Sequence, residues 1–496
     1  MKNRDFLTKL TLSTILRFCN LLFAGTILVL ASILLSSANA QGQRIGINMV
    51  LNQAPSNSIL QDLGAHGQVL DVIPEINGVR LRTLASELPA VQSLPYVVGA
   101  NPDAQVSLLT NSDLSDGTNH WSLDAINVTD FGATPPRVVG YDGEGVYVGV
   151  IDTGLIYNWQ AYFPEERIDV AHARAYEGGG EERGTVSSQP ERWGHDTSGH
   201  GTAVTSIILG FRYALTDPPL PNSFNGVAPK ATVIPVKTHG EGPGWYSTIA
   251  RGLVYLTDLK INGDLGNSPL VVNMSFGSFE DDVLFRAAMD YALVHGVVLI
   301  AAAGNDGGAG MIFPGRYAPV ISAGATGLVG EWPPEDPTLI EWILNDVAES
   351  DPSQYFIAPF SAWELPGQDL DVLAPGFTVS VAGSIYAAFG LVDYTFFFGT
   401  SGASPHVAGV AALMLQKNPG LTAAQIEEIL ENTALPLPPD CRNVRIIGAG
   451  PGHYPSWRWG DFFHRLPFNA DICWNASQAG HGLVQADAAL AATPLP

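Results

Sequence analysis

Between about Val146 and Leu430 the chain alternates short, nearly continuous apolar runs with amphipathic stretches. The runs are "VYVGVID" (146–152), "ATVIPVK" (231–237), "PLVVNMSF" (269–276), "VVLIAAAG" (297–304) and "APVISAGA" (318–325). Strands buried on both faces read this way, because neither side of the pleat meets water. In "DDVLFRAAMDYALVHG" between them, Val283, Ala287, Tyr291 and Val294 share one helical face and Gly296 supplies a stop. "TAAQIEEILENTA" (422–434) opens with a threonine cap. The alternation predicts an α/β fold: a doubly wound, mostly parallel sheet with helices on both faces. Ligands then belong at the carboxyl ends of the strands.

Length and charge bound the rest. At 496 residues the chain is long enough for a large core and more than one folding unit. With 46% hydrophobic and 15% charged residues it is globular, and its formal net charge of −24 argues against nucleic acid as a partner. Residues 1–40 are a separate object. Lys2, Arg4, Lys9 and Arg17 form a basic start, an apolar run spans Leu21 to Leu35, and "SSANA" ends at Ala40 with small residues. That pattern is expected of a signal peptide, so the remainder is expected to be secreted, with no membrane association after its removal. Two cysteines, Cys441 and Cys473, then remain, and in an exported chain they are expected to pair. No His or Cys stands at zinc-finger spacing, and no metal ligand set is assigned.

Two polar, Gly- or Pro-punctuated stretches, near 177–196 and 329–354, read as surface insertions. Residues 41–112 form a segment of their own, and 113–496 hold the α/β pattern.

Three local contexts carry the chemistry. "VIDTG" places Asp152 at the carboxyl end of a buried strand. "GHDTSGHGTAV" places His200 at a helix start, with Gly199 and Gly201 leaving space around the imidazole. "GTSGASPHVAG" places Ser401 at another helix start, where backbone N–H groups and the helix dipole favour developing negative charge. A serine hydroxyl becomes a nucleophile when a base removes its proton, and the base needs a carboxylate to fix its tautomer. Singly, each residue is as well explained by a strand-end cap, a core histidine or an N-cap. Jointly, on one rim of one sheet, they read as a catalytic triad.

The chain here resembles the subtilisin-like serine peptidases, the subtilase family. "VIDTG", "HGT" and "GTSGASPHVAG" match that family's three signatures in its chain order, and "FPGRYAPVISAGAT", "LDVLAPG" and "GHGLVQADAA" resemble further blocks. The resemblance implies a serine endopeptidase working through an acyl-enzyme, with no cofactor required for its chemistry. It implies an oxyanion-hole role for Asn305 in "AAAGND". It implies a peptide-binding edge at "HGEGPGWYS", with Gly242 and Gly244, faced by Ser275, Phe276 and Gly277 of "VVNMSFG". Residues 41–112 resemble the family's propeptide, a small ferredoxin-like α+β inhibitor and folding chaperone. Self-cleavage is expected between Leu108 and His120. Polypeptides are the expected substrates and a monomer the expected state. The segment 211–226 departs from the family's calcium loop, so a structural calcium ion has no assignable ligands. Gly402 stands where the family usually has methionine.

Rivals differ in their motifs. An α/β-hydrolase would want G-x-S-x-G, but Ala403 follows where its second glycine belongs. Sedolisins use a glutamate where His200 stands. The alternative function is a catalytically silent binding or scaffold protein on the same fold.

Overall fold

The structure is a computed structural model. It describes residues 44–108, 111–113, 121–130, 137–180, 185–212, 223–240, 244–331, 347, 350–382, 394–446 and 468–496. The signal-peptide expectation at 1–40, Gly242 and most of 332–349 lie outside these residues.

The amino-terminal unit runs β1 (Arg44–Leu51), α1 (Asn57–His66), β2 (Gln68–Ile73), β3 (Gly78–Leu84), α2 (Leu88–Gln92) and β4 (Val97–Pro102). Its four strands form an antiparallel sheet in the order β2-β3-β1-β4. Ser56 caps α1 by accepting from the Ile59 N–H. Ile47, Met49, Leu51, Leu63, Val79, Leu81 and Val91 make a core separate from the rest of the chain, which is what an independent folding unit requires. After it come two short strands, β5 (Gln105–Leu108) and β6 (Asn111–Asp113), that pair with other parts of the chain.

The large unit then alternates. It comprises β7 (Tyr147–Asp152), β8 (Arg174–Glu177), β9 (Ser187–Ser188), α3 (His200–Leu209), a hairpin of β10 (Gly210–Arg212) with β11 (Ser223–Asn225), β12 (Thr232–Lys237), β13 (Gly244–Trp245) and α4 (Tyr246–Asn262). There follow β14 (Leu270–Met274), β15 (Phe276–Gly277), α5 (Val283–Val294), β16 (Val298–Ala302), β17 (Ile321–Leu328), β18 (Tyr355–Ile357), β19 (Val372–Pro375), β20 (Val379–Ala382), β21 (Tyr394–Phe398), α6 (Thr400–Lys417) and α7 (Ala423–Thr433). The central sheet has the order β18-β17-β16-β14-β7-β12-β8-β9, with β19 also paired to β17. Its inner pairs are parallel, and β18 and β9 join antiparallel at the two ends.

Alternate residues of each strand feed opposite cores, which is why the runs are apolar throughout. Val148, Val150, Val271 and Ile300 pack with Val204 and Ala403 on one face. Ile151, Val272 and Leu299 pack with Leu253 and Met289 on the other. The face expected for α5 is not the one most deeply inserted: Leu284, Phe285, Ala288, Met289 and Ala292 are buried, while Val294 is 77% exposed. Two adjacent apolar stripes coexist in that helix, and the one carrying Phe285 wins because the ring stacks on Tyr246 and meets Phe313 edge-on.

The stretch near 177–196 is more than a surface insertion. Its β9 pairs with β8 and so extends the central sheet, and Trp193 is buried against Trp159. Near the carboxyl terminus, strands β22 (Asp440–Ile446) and β23 (Phe468–Trp474) pair antiparallel with Cys441 opposite Cys473, and their sulfurs are bonded.

Candidate active site

Each of the three signature residues sits where an element ends or begins. Asp152 closes β7, and the chain turns at Gly154, whose φ is +89°. A Cβ there would meet the Trp193 carbonyl oxygen at 2.2 Å, so only glycine lets the two backbones approach. His200 opens α3 behind Gly199, which is left-handed at φ +80°. The glycines flanking His200 serve the backbone more than the imidazole: a Cβ at Gly201 would lie 2.4 Å from the Gly154 carbonyl oxygen. Ser401 lies in the first turn of α6, after Gly399.

His200 Nδ1 and Asp152 Oδ1 are 2.7 Å apart, and both side chains are buried. An ionised carboxylate only accepts, so Nδ1 carries the shared proton, and Nε2 is the nitrogen that bears the lone pair in the neutral ring. Asp152 Oδ1 also accepts from the Thr153 N–H at 2.7 Å. Burial opposes charge on Asp152, but the neighbouring His200 and its hydrogen bond prevail and hold the carboxyl below its ordinary range. His200 Nε2 is buried and has no hydrogen-bond partner among the described residues. The ring faces Phe397 at 5.3 Å.

Ser401 Oγ donates to the Ser275 carbonyl oxygen at 2.9 Å. The two residues are tied a second way, since Ser275 Oγ donates to the Ser401 carbonyl oxygen at 3.0 Å and lies 2.8 Å from Ser404 Oγ. The end of β14 is thereby fixed to the start of α6. Asn305 follows β16 across Gly304. Its Oδ1 accepts from both the Thr400 N–H and the Thr400 hydroxyl, each at 2.9 Å. Two donors fix the carboxamide orientation and leave Nδ2 as the group that donates away from Thr400. Thr400 Oγ1 in turn accepts from the Gly304 N–H at 3.1 Å.

A three-stranded antiparallel ribbon crosses this rim. β5 lies between β13 and β15, with Val106 opposite Gly244, Gln105 opposite Trp245, Leu108 opposite Phe276 and Ser107 opposite Gly277. Three residues past Leu108, Asn111 pairs with Phe398, two residues ahead of Thr400. Gly244, Phe276 and Gly277 thus border an extended segment of the chain itself, and Ser275 continues that border to Ser401.

Sequence reasoning missed four polar neighbours. Lys237, at the end of β12, donates from Nζ to the Thr153 carbonyl oxygen at 2.7 Å. Asp196 accepts from the N–H groups of Ser198 and Gly199, each at 2.9 Å, and burial pushes its carboxyl up to about 6. Thr400 orients Asn305, and His239 lies beneath the ribbon. A charge ending an otherwise apolar strand was the available signal for Lys237. Among the described residues one group of carboxylates is close enough to hold a cation: Asp371, just before β19, with Glu427 and Glu431 of α7.

Fold and rim together define an α/β peptidase of the serine class. The Subtilase family profile matches residues 143–452. The chain is 33% identical over 369 residues to M-protease of Shouchella clausii (strain KSM-K16), covering 73% of this chain and 74% of that protein. It is 32% identical over 302 residues to Subtilisin DY of Bacillus licheniformis, covering 60% and 85%. It also shares its fold with fervidolysin from Fervidobacterium pennivorans, described as a keratinolytic enzyme related to subtilisin, at TM-score 0.60 and 22% identity. That likeness covers 92% of this chain and 62% of the other. The chain belongs to the subtilase family and is a serine-type endopeptidase.

Proposed function

We propose that this is a secreted, monomeric endopeptidase made as a zymogen: residues 1–40 direct export, 41–112 inhibit and assist folding, and 113–496 catalyse. Asp152, His200 and Ser401 act as the triad, and Asn305 Nδ2 with the Ser401 N–H receives the oxyanion. The carrying observation is the buried 2.7 Å contact between Asp152 and His200, with Nε2 left unsatisfied at a rim spanned by an extended segment.

In this mechanism the Ser401 hydroxyl leaves the Ser275 carbonyl by a rotation about its side-chain bond. His200 Nε2 takes its proton as Oγ attacks the substrate carbonyl carbon, and Asp152 stabilises the resulting imidazolium. The tetrahedral oxygen gains hydrogen bonds that the planar carbonyl lacks. His200 then protonates the leaving amine, the peptide C–N bond breaks, and water activated by the same imidazole releases the acyl group.

The self-cleavage reading follows from the ribbon. Leu108 and Asn111 pair on opposite sides of Ser401's neighbourhood, with Phe276 and Phe398. The bond that is cut therefore falls between Leu108 and Asn111, just ahead of the 112/113 boundary read from the sequence. β5 stays in the substrate groove as product and inhibitor. Gly244, Ser275, Phe276 and Gly277, together with Gly242, bind substrate backbone as β5 is bound.

A fluorophosphonate probe tests the assignment. The processed wild type is labelled and Ser401→Ala is not. An unlabelled processed wild type supports the scaffold reading instead.

A further inference from the structure

His239 follows β12 and is 6% exposed. Its Nδ1 lies 2.7 Å from Thr238 Oγ1, and its ring meets Phe276 edge-on at 5.2 Å and 84°. Its Nε2 is buried and has no hydrogen-bond partner among the described residues. The ring feels the charge of Asp152 and lies within electrostatic reach of His200 and Lys237. Burial pushes the imidazole down to about 4, so it is neutral when the peptidase works.

A neutral imidazole that far from water and short of one partner needs a group to complete it. None of the described residues supplies it. The ribbon places the missing group. Phe276 pairs with Leu108, and cross-strand partners in an antiparallel sheet project to the same face. The face of Phe276 is the face against which His239 packs. A substrate residue that takes the register of Leu108 therefore presents its side chain toward the His239 ring.

We propose that His239 is a specificity-determining residue that selects a small, uncharged, hydrogen-bonding side chain (serine, threonine or asparagine) at the substrate position in register with Leu108. The inference rests on the triad reading and deepens it by naming the substrate class. Such groups both donate and accept, so they complete Nε2 whichever tautomer the Thr238 contact selects. A carboxylate is disfavoured by the neighbouring charge of Asp152. An apolar side chain leaves Nε2 unpaired. Subsites built to pair with a hydroxyl or amide discriminate against analogues that lack it.

The test is a cleavage profile on a peptide library derived from a digested proteome, using processed wild type and His239→Leu, with bonds located by mass spectrometry. Wild type is expected to favour serine, threonine or asparagine over leucine about tenfold at the position replacing Leu108. In His239→Leu that preference inverts toward leucine and valine, and the neighbouring positions keep their pattern. A wild-type profile that favours leucine there overturns the proposal without any variant, as does an unchanged profile in a folded His239→Leu enzyme. Fluorophosphonate labelling separates the two readings. Normal labelling with an unselective profile defeats the role of His239 alone, whereas absence of labelling defeats the triad beneath it.

Discussion

The Ser401 hydroxyl donates to the Ser275 carbonyl oxygen at 2.9 Å, while the buried Nε2 of His200 has no hydrogen-bond partner among the described residues. The Asp152–His200 contact, in contrast, is already made at 2.7 Å. In the proposed triad, orientation of the base is thus built into the fold, and the Ser401 hydroxyl has to turn from Ser275 to meet it. Asp152→Asn is expected to lower kcat by about 10⁴-fold, because the amide selects the wrong imidazole tautomer. Steady-state kinetics on a peptide substrate check this, and a loss below tenfold argues against the role of Asp152.

Asn305 is oriented by two hydrogen bonds from Thr400. Asn305→Ala should lower kcat by about 10²–10³-fold with little change in KM, the scale measured for subtilisin's oxyanion-hole asparagine. Thr400→Val removes one of the two orienting donors and should lower kcat by about tenfold. A rise in KM without loss of kcat in either variant would point to ground-state binding instead.

The amino-terminal unit is fastened through a buried carboxylate. Asp103 accepts from Arg80 Nε at 3.1 Å, Ser247 Oγ at 2.6 Å, the Gly180 N–H at 3.0 Å and Asn48 Nδ2 at 3.1 Å. Asp103→Ala removes the carboxylate opposite the buried Arg80 guanidinium, which keeps its bond to the Gly180 carbonyl oxygen, and breaking such a buried pair costs about 3–5 kcal/mol. The Asp71–Arg251 pair at the same junction is partly exposed and is worth about 1 kcal/mol or less. Secreted, processed enzyme should fall sharply in Asp103→Ala and little in Arg251→Ala, as read from culture supernatants. Equal yields would show that this contact does not support maturation.

Gly402 leaves no thioether beside Ser401. A Cβ at this position would lie 3.3 Å from Phe397 Cδ1 and 3.5 Å from Gly376 Cα, so Phe397 fills the space that a longer side chain would need. Dilute peroxide should inactivate the wild type slowly and Gly402→Met quickly, by sulfoxide formation. Rapid loss of wild-type activity traced to chemistry beside Ser401 would contradict this.

His406 donates from Nδ1 to the Gly402 carbonyl oxygen at 2.7 Å, and burial pushes its imidazole down to about 4. A free histidine titrates near 6.5, so between these values the unfolded chain binds more protons than the folded one. Stability from His406 is complete above about pH 6.5 and is lost as pH falls toward 4. Asp196 and Asp282, both pushed up to about 6 by burial, act in the opposite sense over part of that range. The comparison must therefore be between variants. On a Ser401→Ala background, His406→Leu should be less stable at pH 7, with its deficit shrinking by about 1–3 kcal/mol at pH 4.5 in denaturant titrations. A deficit independent of pH would rule the linkage out.

The sheet was legible because strands buried on both faces leave an unbroken apolar record, as "PLVVNMSF" does for β14. The three signature residues stood out in the sequence because each falls at a strand end or a helix start, and the structure places them there. What was hidden depends on partners distant in the chain. The inserted face of α5 is decided by Tyr246 and Phe313, which periodicity within the helix does not encode. Likewise His239 reads as one polar residue in a glycine-rich turn, and only its placement under Phe276 gives it meaning. The partner of Ser401 Oγ is a backbone carbonyl, a group every residue possesses, so no motif announces it.

The most direct measurement is the amino-terminal sequence of the secreted protein, wild type beside Ser401→Ala. Wild type should begin at Leu109, Thr110 or Asn111, while Ser401→Ala should keep residues 41–108 covalently attached. A Ser401→Ala protein trimmed at the same bond, or a wild type that begins well beyond Asp113, would contradict the account.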